Sequence, residues 1–225
     1  LLDIYSTAEN IAAEESQNYK SVSAPCPAFE DLNPEQNAAV VNTENHSFII
    51  AGPGTGKTKT LISKIAWLIK KKIAEPPQIL AITFTNKAAG ELRERLKLIL
   101  GDMSRGKGVT ALTFHAFGLS VLKEFYAQFG RSGNFVIADE DMKADIIKSL
   151  SKENSREIKN YIRQISVIKS GGEPETAFFR SYENELRKLD IFDMDDLIIK
   201  PLTLLEENKS ARDQYQDRFR FIFVD

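Results

Sequence analysis

Residues Ala51 to Thr58 read Ala-Gly-Pro-Gly-Thr-Gly-Lys-Thr, a glycine-rich stretch ending in a lysine and a hydroxyl. In a loop of this kind successive backbone N–H groups turn inward to phosphate oxygens, and the helix that follows adds the positive end of its dipole. Lys57 is then placed to reach β and γ phosphates, and the Thr58 hydroxyl to ligate Mg²⁺. A strict pattern has glycine where Ala51 stands, and Gly52 and Gly54 supply flexibility beside it. The expected phosphate cradle is therefore Ala51, Gly52, Pro53, Gly54, Thr55, Gly56, Lys57 and Thr58.

Four further groups carry possible chemistry. Leu32-Asn33-Pro34-Glu35-Gln36 can start a helix, with Asn33 as cap and Pro34 in the first turn, yet the Gln36 amide can also pair with adenine N6 and N7. Thr83-Phe84-Thr85-Asn86-Lys87 follows an apolar run, at the strand end where ligands bind in parallel sheets. There Phe84 is either core or a platform that stacks on a base, and Asn86 either a helix cap or, with Lys87, a phosphate contact. Thr113-Phe114-His115-Ala116-Phe117 repeats the arrangement. His115 alone reads most simply as a buried or capping histidine, but two similar clusters favour a shared groove for a single strand. Asp193, Asp195 and Asp196 could form a metal-dependent nuclease site, although acids before a helix more simply satisfy its free N–H groups. Lys70, Lys71 and Lys72 read as a solvated helix end.

Elements must hold these groups in place. Four apolar runs, Phe48 to Ile50, Ile79 to Phe84, Val109 to Phe114 and Phe219 to Val224, lack the polar alternation of a half-exposed strand and predict a buried parallel sheet. Helical periodicity follows each of the first three, the β-α alternation of an α/β domain. The hundred or so residues between the third and fourth runs carry hardly a strand signal and are too many for a loop. Ile158, Tyr161, Ile162, Ile165 and Ile168 keep a 3.6-residue period up to Gly171-Gly172, and Phe178, Tyr182, Leu186 and Leu189 resume it after Pro174. A helical insertion over residues 119–204 is predicted inside an α/β domain made of 31–118 and 205–225. Pro201 predicts a kink or break.

The 225 residues and 42% hydrophobic content suffice for a real core. No apolar stretch approaches the roughly 20 residues that span a bilayer, and the start lacks the order of a signal peptide, so a soluble cytoplasmic protein with no membrane partner is expected. Cys26, the only cysteine, excludes a disulfide framework. A net charge of −2 argues against bulk electrostatic grip on nucleic acid. Residues 1–30 set five acids against Lys20 alone and form an acidic extension, irregular from Ser21 to Pro34, which leaves the remainder weakly basic and any nucleic-acid contact to a local groove. Leu1 is not an initiator Met, so an upstream continuation or a trimmed start is expected.

The chain resembles the UvrD/Rep/PcrA type of superfamily I DNA helicase. Leu32 to Gln36 is similar to that family's adenine-reading Q motif, Ala51 to Thr58 to motif I, Thr83 to Leu92 to motif Ia and Thr113 to Phe117 to motif Ib. Phe192-Asp193-Met194-Asp195-Asp196-Leu197 resembles the signature closing helical subdomain 1B, and Phe221 to Asp225 the Walker B strand of motif II. The resemblance implies an α/β P-loop NTPase fold of the RecA-like type with a helical insertion. It implies ATP and Mg²⁺ as cofactors, catalysis through Lys57 and Asp225, and Mg²⁺ at Thr58 and Asp225. Gln36 and Lys59 join the nucleotide site, Lys59 standing where many relatives have arginine. Phe84, Asn86, Lys87, Thr113 and His115 become the DNA track. The implied activity is ATP-dependent 3′ to 5′ translocation and unwinding of single-stranded and duplex DNA, working against a second motor domain of the same parent chain. The glutamate that follows motif II, and motifs III to VI, have no counterpart in these residues, which are expected to bind nucleotide weakly and hydrolyse it negligibly alone. Two rivals stand beside this: a nucleotide-gated DNA-binding module that never unwinds, and the motor part of a RecB/AddA-like helicase-nuclease.

Overall fold

A computed structural model describes residues 32–42, 46–101, 108–151 and 155–225. The expected acidic extension, most of the linker and Cys26 lie outside the described residues. The first element is helix α1 (Pro34–Val41), whose start is fixed by a reciprocal bond: the Asn33 side chain accepts from the Gln36 N–H, and the Gln36 side chain from the Asn33 N–H. Helix α2 (Lys57–Lys70) follows the glycine-rich loop and buries Ile62, Ile65, Ala66 and Ile69 at helical spacing.

A three-stranded parallel sheet comes next. Strand β1 (Ile79–Thr83) is buried at every position, helix α3 (Asn86–Leu100) returns along the sheet, and strand β2 (Thr110–Thr113) pairs in parallel with β1, Thr83 level with Thr113. Leu92, Leu96 and Leu100 of α3 and the buried face of α2 enclose Ile79, Ala81 and Ala111 in one core. Helix α4 (Phe114–Phe125) leaves β2 without a loop.

The residues between the third and fourth apolar runs hold strand β3 (Val136–Ala138), helices α5 (Glu140–Ser151), α6 (Ser155–Lys169) and α7 (Ala177–Lys188), strand β4 (Ile191–Asp193) and helices α8 (Asp196–Glu207) and α9 (Lys209–Arg218), the last beyond the predicted insertion of 119–204. Helices α6 and α7 match the predicted periodicity. Strands β3 and β4 were not foreseen: they form a two-stranded parallel sheet, Ile137 level with Phe192. Ile146, Ile147, Ile158, Ile165, Tyr182 and Leu186 build a second core beneath it. Helix α8 continues through buried Pro201, so of the predicted kink or break the break is absent. Val121 of α4, Leu204 of α8, and Ala211 and Tyr215 of α9 make a third cluster.

Strand β5 (Phe221–Val224) then pairs in parallel with β1, giving the order β2-β1-β5. The predicted strand Phe48 to Ile50 is corrected: it is not part of the sheet, and Phe48 and Ile50 are 90% and 88% exposed. Strand β5 has β1 as its one partner in the sheet among the described residues, and Phe48 and Ile49 line a groove together with Phe221 to Val224 of β5. Among the described residues no helix is long and apolar enough to cross a membrane.

Candidate functional site

The Ala51–Thr58 loop turns through Gly54 and Gly56, both left-handed at φ +75° and +86°, a conformation that side chains disfavour. Gly56 is the residue before α2 and no side chain caps the helix there, so the first N–H groups of a fourteen-residue helix face the loop. Lys57 Nζ donates to the carbonyls of Ala51 at 3.1 Å and Gly52 at 2.8 Å, while the Thr55 hydroxyl donates to Gly52 O. The lysine thus lies across the mouth of its own loop. An uncapped helix start beside an ammonium group is the donor set that a phosphate chain requires.

Strand β5 delivers the second half of this site. Beyond Val224, the Asp225 N–H donates to Ile82 O at 3.0 Å, which carries the pairing with β1 one residue further. The Asp225 carboxylate thereby stands at the carboxyl end of the sheet, where the Thr58 hydroxyl donates to its Oδ2 at 2.8 Å. A hydroxyl and a carboxylate in contact are hard oxygen donors, and they fit Mg²⁺ held by one or two protein groups with phosphate completing its shell. Lys57, Thr60 and Asp225 also line a groove of about 470 Å³ shared with Phe48, Lys64 and β5. Burial there lowers the Lys64 ammonium to about 8, and its Nζ donates to Asn42 O.

Gln36 meets the loop from the other side. Its Nε2 donates to Thr55 O at 2.9 Å, and the space that a Cβ on Gly56 would need is filled by that nitrogen, 2.8 Å away. Gln36, Lys57, Thr58 and Asp225 therefore belong to one site, drawn from α1, α2 and the end of β5. Lys59 is exposed on the first turn of α2.

The level ends of β1 and β2 place two helix starts side by side. Thr85 caps α3 by accepting from the Ala88 N–H, and Thr113 caps α4 by accepting from the Ala116 N–H. Phe84 is 86% exposed and is not core, and Asn86 is the first helical residue and not the cap. Lys87 and His115 are exposed, against the simple reading of a buried histidine. Thr113 is only 7% exposed, and its hydroxyl accepts from the Ala116 N–H as the cap of α4. Phe84, Asn86, Lys87 and His115 remain as an exposed aromatic and polar ledge.

The three acids of the nuclease alternative are engaged otherwise. Asp193 Oδ1 accepts from the Asp196 N–H and Asp196 Oδ2 from the Asp193 N–H, a reciprocal helix start. Lys169 Nζ lies 2.9 Å from Asp193, 2.8 Å from Asp196 and 2.9 Å from Glu183, Lys143 reaches Asp193 and Asp195, and the Tyr182 hydroxyl donates to Asp193. Burial alone would raise both carboxyls. Lys169 and Lys143 outweigh it at Asp193, which is held below the usual carboxylate range. At Asp196 burial prevails over Lys169, helped by Asp193 and Glu183, and its pKa is raised. Among the described residues no group of acids, histidines or cysteines is arranged to hold a metal. The cluster is a buried ionic node joining α5, α6, α7, β4 and α8.

The structure adds Gly118 to the residues singled out in the sequence, and it joins two that were, Asn33 and Thr55, to Gln36 through backbone groups. The bond between Asn33 and Gln36 was readable as a capping pattern, a short polar residue followed three positions later by glutamine. Thr55 O and Gly118 had no sequence signal, since each matters through a neighbour distant in the chain.

The family model of the UvrD/REP helicase N-terminal domain matches residues 32–170 and 168–225. Relatives include the ATP-dependent DNA helicase Rep of Escherichia coli K12, 33% identical over 213 residues, covering 86% of this chain and 32% of Rep. Rep of Buchnera aphidicola is 35% identical over 216 residues, with 86% and 33% covered, and PcrA of Staphylococcus aureus Mu50 is 32% identical over 214 residues, with 86% and 29% covered. The chain spans about a third of the length of these curated relatives. With a model match across most of its residues and both halves of the loop site in register, the chain belongs to the UvrD/REP helicase N-terminal domain family.

Proposed function

We propose that these residues are the amino-terminal motor region of an ATP-dependent DNA helicase, a RecA-like P-loop domain (31–118 and 205–225) carrying a helical insertion (119–204). The observation that carries this reading is the 2.8 Å contact between Thr58 and Asp225, 167 positions apart, at the mouth of an uncapped helix. Sequence neighbours do not explain such a contact. A site for a triphosphate and its cation does, and the relatives' name as ATP-dependent DNA helicases supports ATP as the nucleotide.

In this reading Ala51 to Lys59 hold the phosphates, with Lys57 leaving the Ala51 and Gly52 carbonyls to meet the γ-phosphate, and Gln36 contacts the adenine. Mg²⁺ held by Thr58 and Asp225 supplies neutralisation of the β and γ oxygens when bound. Single-stranded DNA crosses the ledge, bases stacking on Phe84 while the N–H groups and side chains at the starts of α3 and α4 meet phosphates. Both sites hang on the same three strands, the nucleotide at β5 and DNA at β1 and β2, which is how a change at one can reach the other. A second motor domain of the parent chain closes the cleft and supplies the arginines of hydrolysis, and translocation runs 3′ to 5′ on DNA in the cytoplasm.

The test is ATP hydrolysis with and without single-stranded DNA, comparing this chain with one extended through the second motor domain. The extended chain should be strongly DNA-stimulated and this chain nearly inactive. Robust DNA-stimulated hydrolysis by the 225 residues alone would sink the proposed division of labour.

A further inference from the structure

Two lysines of α2 face one groove. Lys57 and Lys64 stand two helical turns apart on the same side of the helix, and with Leu61 and Leu68 they line the groove of about 470 Å³ shared with β5. Lys57 belongs to the glycine-rich loop. Lys64 has a different setting: it is half-buried, its Nζ donates to Asn42 O and lies 5.1 Å over the Trp67 ring, and among the described residues no acid pairs with it. A carbonyl and a ring face compensate poorly for an ammonium taken out of water, and burial lowers the group to about 8. A desolvated lysine of this kind is a nucleophile near neutral pH.

We propose that Lys64 is an acylation site, served by an acyl phosphate whose phosphate is held at the glycine-rich loop. The uncapped start of α2 and Lys57 are donors for the phosphate, and the groove they share with Lys64 gives the acyl carbonyl a way to Nζ. The amine lone pair attacks the carbonyl carbon and a C–N bond forms. The C–O bond to phosphate breaks, phosphate leaves with the electron pair, and the amine proton passes to water. The product is a neutral amide whose acyl group occupies the groove beside Lys57 and Asp225. Nucleotide phosphates meet the same place, so acylation shuts the loop to nucleotide. The inference rests on the phosphate loop of the proposed function.

Acetyl phosphate is the probe, reacted with the whole chain and followed lysine by lysine with peptide mass spectrometry. At about pH 7.5 a group at about 8 is about one quarter free amine, and an ordinary lysine at about 10.4 about one part in a thousand. Half-burial offsets part of that advantage, so Lys64 should react roughly tenfold faster than Lys209, which is 80% exposed. Its rate should level off above about pH 8. Inorganic phosphate should slow this reaction and leave acetylation of Lys64 by the neutral ester para-nitrophenyl acetate untouched. The unsubstituted chain should lose affinity for a ribose-labelled fluorescent ADP in step with Lys64 acetylation, about tenfold at full modification. Lys64→Arg keeps a cation without the reactive amine, and should keep its affinity through the same treatment. Lys64 reacting no faster than Lys209, or phosphate slowing neither donor, overturns the inference. An ADP affinity unmoved by Lys64 acetylation overturns the shutting of the loop. Failure of the untreated chain to bind the fluorescent ADP is a separate result, which overturns the phosphate loop itself.

Discussion

Gly118 of α4 lies directly against the Leu197 carbonyl of α8: a Cβ built on the glycine would fall 1.6 Å from that oxygen and 2.8 Å from its carbon. Two helix backbones meet there with no room for a methyl group. Helix α4 carries His115 on the exposed ledge, and α8 begins at Asp196 in the buried ionic node. The crossing therefore joins the ledge to the helical part of the molecule, with Leu122, Phe192 and Leu197 packed beside it. Arg131 extends this contact, its guanidinium 4.7 Å above the Phe192 ring and its Nε donating to Ile191 O.

Gly118→Ala should be severe for this reason. No flexible side chain can give way, so one helix must move, and the cost should reach about 3 kcal/mol, the upper end for overpacking. Urea denaturation of the variant measures it. A loss under about 1 kcal/mol would mean that the two helices can part at this crossing with little cost.

Removing one charge from the ionic node should cost more than removing a surface charge. Lys169→Met takes away the lysine of buried Asp196 and leaves Asp193 and Glu183 with one lysine each, Lys143 and Lys200, a loss of about 3–5 kcal/mol. Lys209→Met breaks an ion pair with Asp213 whose lysine is 80% exposed, and should change stability by no more than about 0.5 kcal/mol. Comparable urea midpoints for the two variants would show that the node is solvated.

The contrast between strands that were and were not legible has a physical cause. Ile79 to Thr83 is apolar on both faces and lies between β2 and β5, so its pattern and its place agree. Phe48 to Ile50 has the same apolar pattern but no pairing partner among the described residues, and a pattern cannot report whether a neighbour is present. Strands β3 and β4, three residues each, are too short to show any period. The glycine-rich loop was legible because its chemistry is contiguous. The ionic node was not, because its acids in β4 and α8 meet lysines from α5 and α6, and charges read as surface until their partners are known.

Acid and alkali should both weaken the fold. Burial opposes ionisation of Asp193 and Glu183, but their lysines prevail and hold both below ordinary carboxylate values. Their stabilisation is complete above the unfolded values of about 4 and drains away as pH falls through the folded ones. Arg218 lowers Glu124 in the same sense, though that pair faces solvent and counts for less. Lys169 runs the other way. Burial would lower it, yet Asp196, Asp193 and Glu183 raise it, so its share is full below about pH 10.4 and is lost as pH rises through its folded value. Asp196, raised by burial, contributes fully only below about pH 3.9 and trims the neutral plateau. Urea midpoints should therefore peak between about pH 5 and 10, and Asp193→Asn should flatten the acid limb.

Phe84 should matter for DNA and not for folding. It is exposed and lies just before the Thr85 cap, so Phe84→Ala should leave the unfolding free energy from urea denaturation within about 0.5 kcal/mol of the unsubstituted chain. Stacking on one base is worth about 1–3 kcal/mol, so its loss should weaken binding of an oligothymidylate roughly 5- to 150-fold by fluorescence anisotropy. Unchanged DNA affinity would remove Phe84 from the track.

The contact between Thr58 and Asp225 predicts a cation-dependent phenotype that stability alone cannot imitate. Both side chains are at the surface of the loop site, and neither supports a core cluster, so Thr58→Ala and Asp225→Asn should fold normally. In the unsubstituted chain Mg²⁺ should tighten ATP binding, because the hydroxyl and the carboxylate supply oxygen ligands that the phosphates complete. Each variant loses one ligand, and its ATP affinity in Mg²⁺ should fall by about tenfold towards the value in EDTA. The affinity in EDTA should stay unchanged in Thr58→Ala and rise in Asp225→Asn, where a negative charge facing the phosphates has gone. That difference in sign separates a metal ligand from a general binding group. Equal losses with and without Mg²⁺ in both variants would assign the pair to shaping the loop and not to holding the ion.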